Sequence, residues 1–334
     1  MKALITGASG FVGRNLVLKL HQDPKVSQLI LPVRSRKKLE AQLAQEGLSP
    51  SDSKLKILES SAPSWRGLEG SQVDFLVHCA GLLFAREKEE FFETNVEGTL
   101  QLFRTVSFKK AVVLSSQAAS GPCQSGQLLK TEEDKENPIT WYGRSKLEME
   151  SQLEKEFGQR DYICLRPPMI LGARDSATLP LFKMVRGRVL FKPGFEPKYY
   201  SFVSVSDLVE AIQISLTSSN SSPQNRSKSY FVASDEVITD EMLLTTAAKA
   251  AEKKGFLVKV PQPLLKMVAK AVDAVPAWRS AIPSLSGDRA KEIWPDRWVV
   301  SSKKFANEFS WSAEGRLLET LQDTYAWYVK NGEI

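Results

Sequence analysis

Tyr142 and Lys146 stand four residues apart in the stretch WYGRSKLE, and side chains at that spacing share one face of a helix. A phenol alone exchanges protons poorly near neutrality, because its ordinary pKa is about 10. An ammonium on the neighbouring turn favours the phenolate and draws that value down, so the pair reads as a proton-exchanging group with its tuning cation. The same spacing also suits a plain solvated helix face, and only the rest of the chain separates the two.

A second constellation lies at the start of the chain. LITGASGFVG places Gly7, Gly10 and Gly13 directly after a β-rich run and at the opening of a helical one. Those glycines serve a tight turn, a close backbone approach to a pyrophosphate, and close packing of helix on strand. The helix start, with Phe11 and Val12, adds unpaired N–H groups and partial positive charge for the anion. Dinucleotide sites of this kind usually carry an acidic residue about twenty positions further on, which holds a free ribose hydroxyl. Here the second strand, LILPV, runs instead into Arg34, Ser35, Arg36, Lys37 and Lys38. A guanidinium binds a 2′-phosphate through two parallel hydrogen bonds, whereas a carboxylate repels it. NADP(H) is therefore the expected cofactor, with Arg34 as the principal contact and Lys38 as the second; NAD(H) is the alternative.

The elements that must carry these residues follow from the hydrophobic pattern. Short β-rich runs (KALITG, QLILPV, LKILES, VDFLVHCAG, KAVVLSS, YICLRPP) alternate with helical segments, which implies crossover units and a doubly wound parallel sheet. Beyond Pro167 the chain becomes proline-broken and mixed. The expected division is a dinucleotide-binding domain over 1–167, with 199–235 returning to its sheet, and a smaller substrate lobe built from 168–198 and 236–334. The polar stretch 217–229 reads as an exposed loop.

At 334 residues, 42% hydrophobic and 25% charged, the chain has ordinary globular composition. No run approaches the roughly 18 apolar residues of a membrane span, and the N-terminus enters a strand pattern directly, so a cytoplasmic location is expected. The 3 cysteines lack metal-ligand spacing and read as reduced structural thiols, and with 2 histidines apart from any acidic cluster no metal site is expected. A net charge of +6 raises the question of nucleic acid, but the basic residues are interspersed with acidic ones, so none is expected as a partner.

Taken in order, TGASGFVG, HCAG, NVEGT, VLSSQAASG, YGRSK and LRPP resemble the extended short-chain dehydrogenase/reductase family, in its NAD(P)-dependent epimerase/dehydratase group. The closest look is to the branch of 3β-hydroxysteroid dehydrogenases and dihydroflavonol reductases. The resemblance runs over nearly the whole chain and is far more specific for family than for substrate. It implies that Tyr142 exchanges a proton with the substrate oxygen, that Lys146 tunes it and holds the nicotinamide ribose, and that Ser116 hydrogen-bonds the same oxygen. It also implies that Asn95 orders the helix beside the site, that Ala80 and Gly81 pass near the adenosine half, and that Pro167 lies near the nicotinamide.

Three departures bear on the ligands. Ser60 and Ser61 stand where the family commonly has an Asp-Leu pair against adenine, and Leu171 where many relatives have tyrosine. Tyr200 occupies the position, seven before Asp207, at which nucleotide-sugar epimerases typically place an arginine for the sugar diphosphate. Losing that cation removes a charge-assisted hydrogen bond of about 1.5–3 kcal/mol. The leading expectation is thus reduction of an apolar ketone or aldehyde, a small-molecule substrate. A nucleotide-sugar epimerase or dehydratase with tightly held NAD, and a non-catalytic NADP(H)-sensing protein, stay open as alternatives. In the stretch 260–278, Leu264, Leu265, Val268, Val272 and Val275 fall on one helical stripe, which suits a core, a substrate cover or a peripheral membrane contact. A homodimer is slightly favoured.

Overall fold

The aliphatic runs of the first half become sheet, and a central strand such as Tyr162–Arg166, with all five residues buried, is covered on both faces. The computed structural model describes residues 1–218, 228–274 and 287–334. The elements run β1 (Lys2–Thr6), α1 (Phe11–Gln22), β2 (Gln28–Val33), α2 (Arg36–Gln45), β3 (Leu55–Glu59), β4 (Gln72–His78) and α3 (Lys88–Phe92). A π turn (Glu93–Glu97), α4 (Gly98–Thr105), β5 (Ser107–Leu114), α5 (Gln117–Ser120), α6 (Trp141–Phe157) and β6 (Tyr162–Arg166) follow. The second half has β7 (Met169–Leu171), α7 (Leu179–Arg186), β8 (Val189–Pro193), β9 (Tyr199–Ser204), α8 (Val205–Thr217), β10 (Ser229–Phe231) and β11 (Val237–Thr239). It continues through α9 (Asp240–Ala250), β12 (Phe256–Val260), α10 (Gln262–Ala274), a 3-10 turn (Gly287–Ile293), β13 (Arg297–Trp298), α11 (Lys303–Phe309) and α12 (Leu317–Lys330).

The main sheet has 7 strands in the order β10-β6-β5-β4-β1-β2-β3, and its pairings are parallel. Helices cover both faces, as a doubly wound sheet requires. On one side α1, α2 and α8 bury Leu16, Leu39 and Leu208; on the other, α4 and α6 bury Phe103 and Met149. The winding reverses between β1 and β4, so the carboxyl ends of these two strands open a crevice, the place where such sheets bind ligands. Both expected cofactor segments, Gly7–Gly13 after β1 and Ala80–Gly81 after β4, lie there.

The second half departs from expectation in two places. Helix α8 and strand β10 do return to the main sheet, β10 pairing with β6, but β9 does not. It joins a separate 4-stranded sheet with β11, β13 and β7; its last four residues are all buried, which suits either sheet, and pairing with β7 decides. Conversely, Phe305, Phe309 and Trp311 belong with Tyr230 in the core of the main sheet rather than in the substrate lobe. The lobe's own core brings Phe182 and Leu190 together with Phe202, Leu244, Leu321 and Tyr328. Most of the polar stretch 217–229 lies outside the described residues.

Candidate active site

Helix α6 presents its first turn to the crevice. Thr140 caps it, accepting from the Gly143 N–H at 3.1 Å. Gly143 packs so closely on α5 that a Cβ there would lie 2.3 Å from the Ala118 carbonyl oxygen; only glycine lets the two helices meet. That approach sets Tyr142 beside Ser116, to which it is hydrogen-bonded. Ser116 in turn caps α5, its Oγ accepting from the Ala118 N–H at 3.1 Å, which leaves its hydroxyl hydrogen free to turn toward a ligand.

The electrostatics differ from the sequence expectation. Burial dominates at Tyr142 and pushes its phenol above the ordinary value; Arg289 and the Ser116 hydrogen bond oppose this, and Glu292 adds to it. Lys146 lies one turn further along the same helix. Its own pKa is lowered by burial to about 8, and its Nζ donates to the Leu114 carbonyl at 2.9 Å. Lys146 also lies so near Gly81 that a Cβ there would sit 3.1 Å from Nζ. Asn95 orders this region by gripping the Leu82 backbone in both directions, at 2.7 and 3.1 Å, and by donating to Ser145 of α6 at 3.0 Å.

The cation that does face the phenol comes from the 3-10 turn. The Arg289 guanidinium lies 4.8 Å from the Tyr142 ring centroid and 5.5 Å from that of Phe84. It is paired with Glu292 at 2.6 Å, and Glu292 accepts from Thr140 at 2.8 Å. Asp288 of the same turn accepts from the Trp141 N–H. Carboxylates thus meet the N-terminus of α6, where they oppose the helix dipole favourably, and they deliver Arg289 to the phenol of Tyr142. No motif marks this residue in the sequence, since it lies far along the chain from Tyr142. Replacement Arg289→Gln removes a charge that favours the phenolate, so the phenol pKa should rise further. In the reducing direction, which needs the protonated phenol, the alkaline limb of the pH–rate profile should move to higher pH. In the oxidising direction, which needs the phenolate, the acid limb should move the same way. Profiles of kcat in both directions check this.

These groups open into one cavity of about 730 Å³. Its wall includes Gly7, Gly10, Phe11, Val12, Gly13, Arg34 and Lys38 at one end, then Ala80, Gly81, Ser116, Tyr142 and Pro167. Of the residues expected from sequence at the site, Lys146 and Asn95 are not part of that wall. The glycine loop suits a dinucleotide: a Cβ at Gly13 would lie 2.2 Å from the Gly7 carbonyl oxygen, so the helix start can approach only as glycine. Ser60 and Ser115 also line the cavity, and their buried hydroxyls have no hydrogen-bond partner, as donors and acceptors awaiting a ligand would. The far end carries Leu82, Leu83, Met169, Ile170, Tyr200 and Trp298. Lys198 is turned away from it, donating to the Ile293 carbonyl.

Other reactive types are structural. His78 is buried between Thr6 at 2.7 Å and Thr99 at 2.9 Å, and burial lowers its pKa to about 3, so it is neutral. The cysteines are free thiols, with Cys79 pushed up to about 12 by burial. Among the described residues no cluster suited to a metal ion occurs, and no helix is long and apolar enough to cross a membrane.

A parallel sheet with a glycine loop at its switch point and a Ser-Tyr-Lys group beside it defines a nicotinamide-dependent oxidoreductase of the extended short-chain dehydrogenase/reductase type. The profile of the NAD dependent epimerase/dehydratase family matches residues 3–233, and the chain belongs to that family. Among curated proteins it is 26% identical over 341 residues to a ceramide reductase of Caulobacter vibrioides, covering 98% of this chain and 94% of that protein. It is 27% identical over 222 residues to a GDP-6-deoxy-D-talose 4-dehydrogenase of Aggregatibacter actinomycetemcomitans, covering 64% and 69% respectively. Other curated relatives are matched over about half of their length. The fold is similar to that of a UDP-glucuronic acid 4-epimerase from Bacillus cereus solved with a nucleotide sugar and NAD, with a TM-score of 0.76 and 15% identity over 99% of this chain and 100% of that one. The narrower likeness to the steroid dehydrogenase and dihydroflavonol reductase branch rests on the sequence motifs alone.

Proposed function

We propose that the protein is an NADP(H)-dependent reductase of a largely apolar, lipid-like ketone or aldehyde. The observation that carries this reading is the composition of this cavity: Arg34 and Lys38 at the nucleotide end, Leu82, Leu83, Met169, Ile170 and Trp298 at the other, and Tyr142 with Ser116 between. Among the described residues of the wall, the one cation beyond Tyr142, Arg289, is held by Glu292, and Tyr200 supplies no charge for a sugar diphosphate. The full-length match to a ceramide reductase supports a lipid-like substrate. On this reading residues 1–167 with α8 and β10 hold the dinucleotide, and 168–198 together with most of 236–334 close over the substrate.

When bound, the dinucleotide supplies the hydride. The chain's own part is electrostatic and acid–base. Tyr142 donates its phenolic proton to the substrate oxygen, and Ser116 donates a hydrogen bond to that oxygen as negative charge develops there. Lys146, held by Leu114 and next to Gly81, is placed to bind the nicotinamide ribose. Buried walls exclude water from the reacting carbonyl.

Arg34 distinguishes the cofactors. It is exposed at the end of β2 and has no ion-pair partner among the described residues, whereas Arg36 is engaged by Glu40 at 2.6 Å. Arg34→Ala should weaken NADPH binding by roughly tenfold to a hundredfold, the effect of one charge-assisted hydrogen bond to phosphate, and leave NADH binding nearly unchanged. Fluorescence titration with both dinucleotides measures this. A panel of ketones and aldehydes followed through NADPH absorbance tests the function itself; consumption of apolar ketones is expected. Co-purified, tightly held NAD(H) together with interconversion of nucleotide sugars would overturn the reading.

A further inference from the structure

Among the described residues, the small sheet of β8 and β12 is covered on one side only. Helices α7 and α9 pack against β8, and Leu190 and Lys192 turn toward them, each 1% exposed. Alternate residues of a strand point to the opposite face, and there Val189, Phe191, Phe256 and Val258 meet solvent, Phe256 at 76% exposure. The parallel register sets Phe256 beside Val189 and Val258 beside Phe191, so the four make one continuous apolar strip. Helix α10 leaves β12 through Pro261 and adds Leu264 and Met267, 45% and 62% exposed. The stripe expected from sequence is therefore split: Ala269 and Val272 are buried, while Leu264 and Val268 are exposed, and Val275 lies outside the described residues.

Charge surrounds this strip asymmetrically. Because the strands are parallel, the residues that precede them lie at the same end: Arg186 and Arg188 before β8, Lys253 and Lys254 before β12, all exposed. Lys266 and Lys270 on α10 are exposed as well, whereas Lys259 at the other end is paired with Glu241 of α9 at 3.9 Å. Within 183–196 and 252–272 the only acidic residues are Glu196 and Glu252.

We propose that this face docks on an anionic lipid bilayer. Apolar side chains inserted at headgroup depth and cations held at the headgroup level are the two contributions that peripheral membrane surfaces combine. A second copy of the chain fits less well, since a two-fold interface would lay the basic rim against itself. The position also connects to the cavity. Helix α10 packs on the 3-10 turn, Lys266 lies 5.4 Å over the Trp294 ring next to that turn, and the turn's Arg289 and Glu292 form part of the cavity wall. Docking would hold that wall one helix away from the bilayer. This suits an apolar substrate but does not rest on it, because binding is read without substrate or turnover.

Sedimentation of the full chain with phosphatidylcholine vesicles, with and without phosphatidylglycerol, is the direct test. Binding is expected with phosphatidylglycerol and should fall at high salt. Lys253→Gln with Lys254→Gln should weaken it by about thirty-fold, the effect of two basic residues near a charged membrane. Phe191→Ser with Phe256→Ser should abolish it while the thermal midpoint and NADPH affinity stay as in the parent, since both rings are exposed. No binding to the anionic vesicles, equal binding to neutral ones, or a concentration-dependent dimer in light scattering that the Phe variant dissociates would each overturn the proposal.

Discussion

Tyr142→Phe should lower turnover by about 10²- to 10⁴-fold, the usual contribution of a positioned general acid, while the affinity for NADPH stays near that of the parent. The phenol contributes one oxygen to the cavity, and its ring is fixed by Phe91 at a centroid distance of 6.4 Å and by Arg289 above it. Phenylalanine keeps both contacts and deletes only the hydroxyl group, and with it the transferable proton. The nucleotide end of the cavity, from Gly7 to Lys38, is untouched. Single-turnover rates with saturating NADPH separate this from a binding defect, because a variant that failed to bind the dinucleotide would lose activity for another reason. Unchanged turnover would remove Tyr142 from the chemistry. Burial raises the phenol above its ordinary value, which keeps the proton in place near neutral pH and suits reduction better than oxidation.

The parts legible in the sequence were those whose signal is local. A strand followed by Gly7, Gly10 and Gly13 is a contiguous pattern, and so is the Tyr142–Lys146 pair; each became part of the crevice region as one unit of chain. The existence and order of β1 through β6 were legible for the same reason, although β5 begins at Ser107, three residues before the run KAVVLSS. What escaped was long-range. The sheet that receives β9 depends on its partner β7, not on its own burial pattern. Arg289 reaches Tyr142 only because the 3-10 turn docks on the N-terminus of α6 through Asp288 and Glu292, and nothing in SGDRAKEI announces that contact. Lys146 was legible as a position on the helix, whereas the bond of its ammonium to the Leu114 carbonyl depends on the distant strand β5. Helix α10 misled because alanine counts weakly in a hydrophobic stripe, although Ala269 is the residue buried beside Val272.

The largest effect on stability is expected two turns beyond the tyrosine. Glu150 and Arg166 are both buried, and Arg166 Nε reaches both carboxylate oxygens at 3.0 Å while Nη2 adds a bond of 2.5 Å to Oε2. Ser229 donates to the same carboxylate at 3.0 Å. One ion pair therefore fastens α6 to β6 and to the returning strand β10. Glu150→Ala leaves a guanidinium that is 4% exposed, with only Glu136 at 3.3 Å to answer it. Breaking a buried pair from one side costs about 3–5 kcal/mol. In a chain of this size that corresponds to a fall in thermal midpoint of the order of 10 °C, measurable by calorimetry. The double replacement Glu150→Leu with Arg166→Met removes both charges and should recover most of the loss, because apolar side chains of similar volume satisfy the site without stranding an ion. If the double variant were as unstable as the single one, the hydrogen bonds to Ser229 and Glu136, rather than the pairing of the charges, would be what holds α6 in place. Because Tyr142 and Lys146 ride on the same helix, activity in Glu150→Ala should fail at the temperature where the fold does, and not before it.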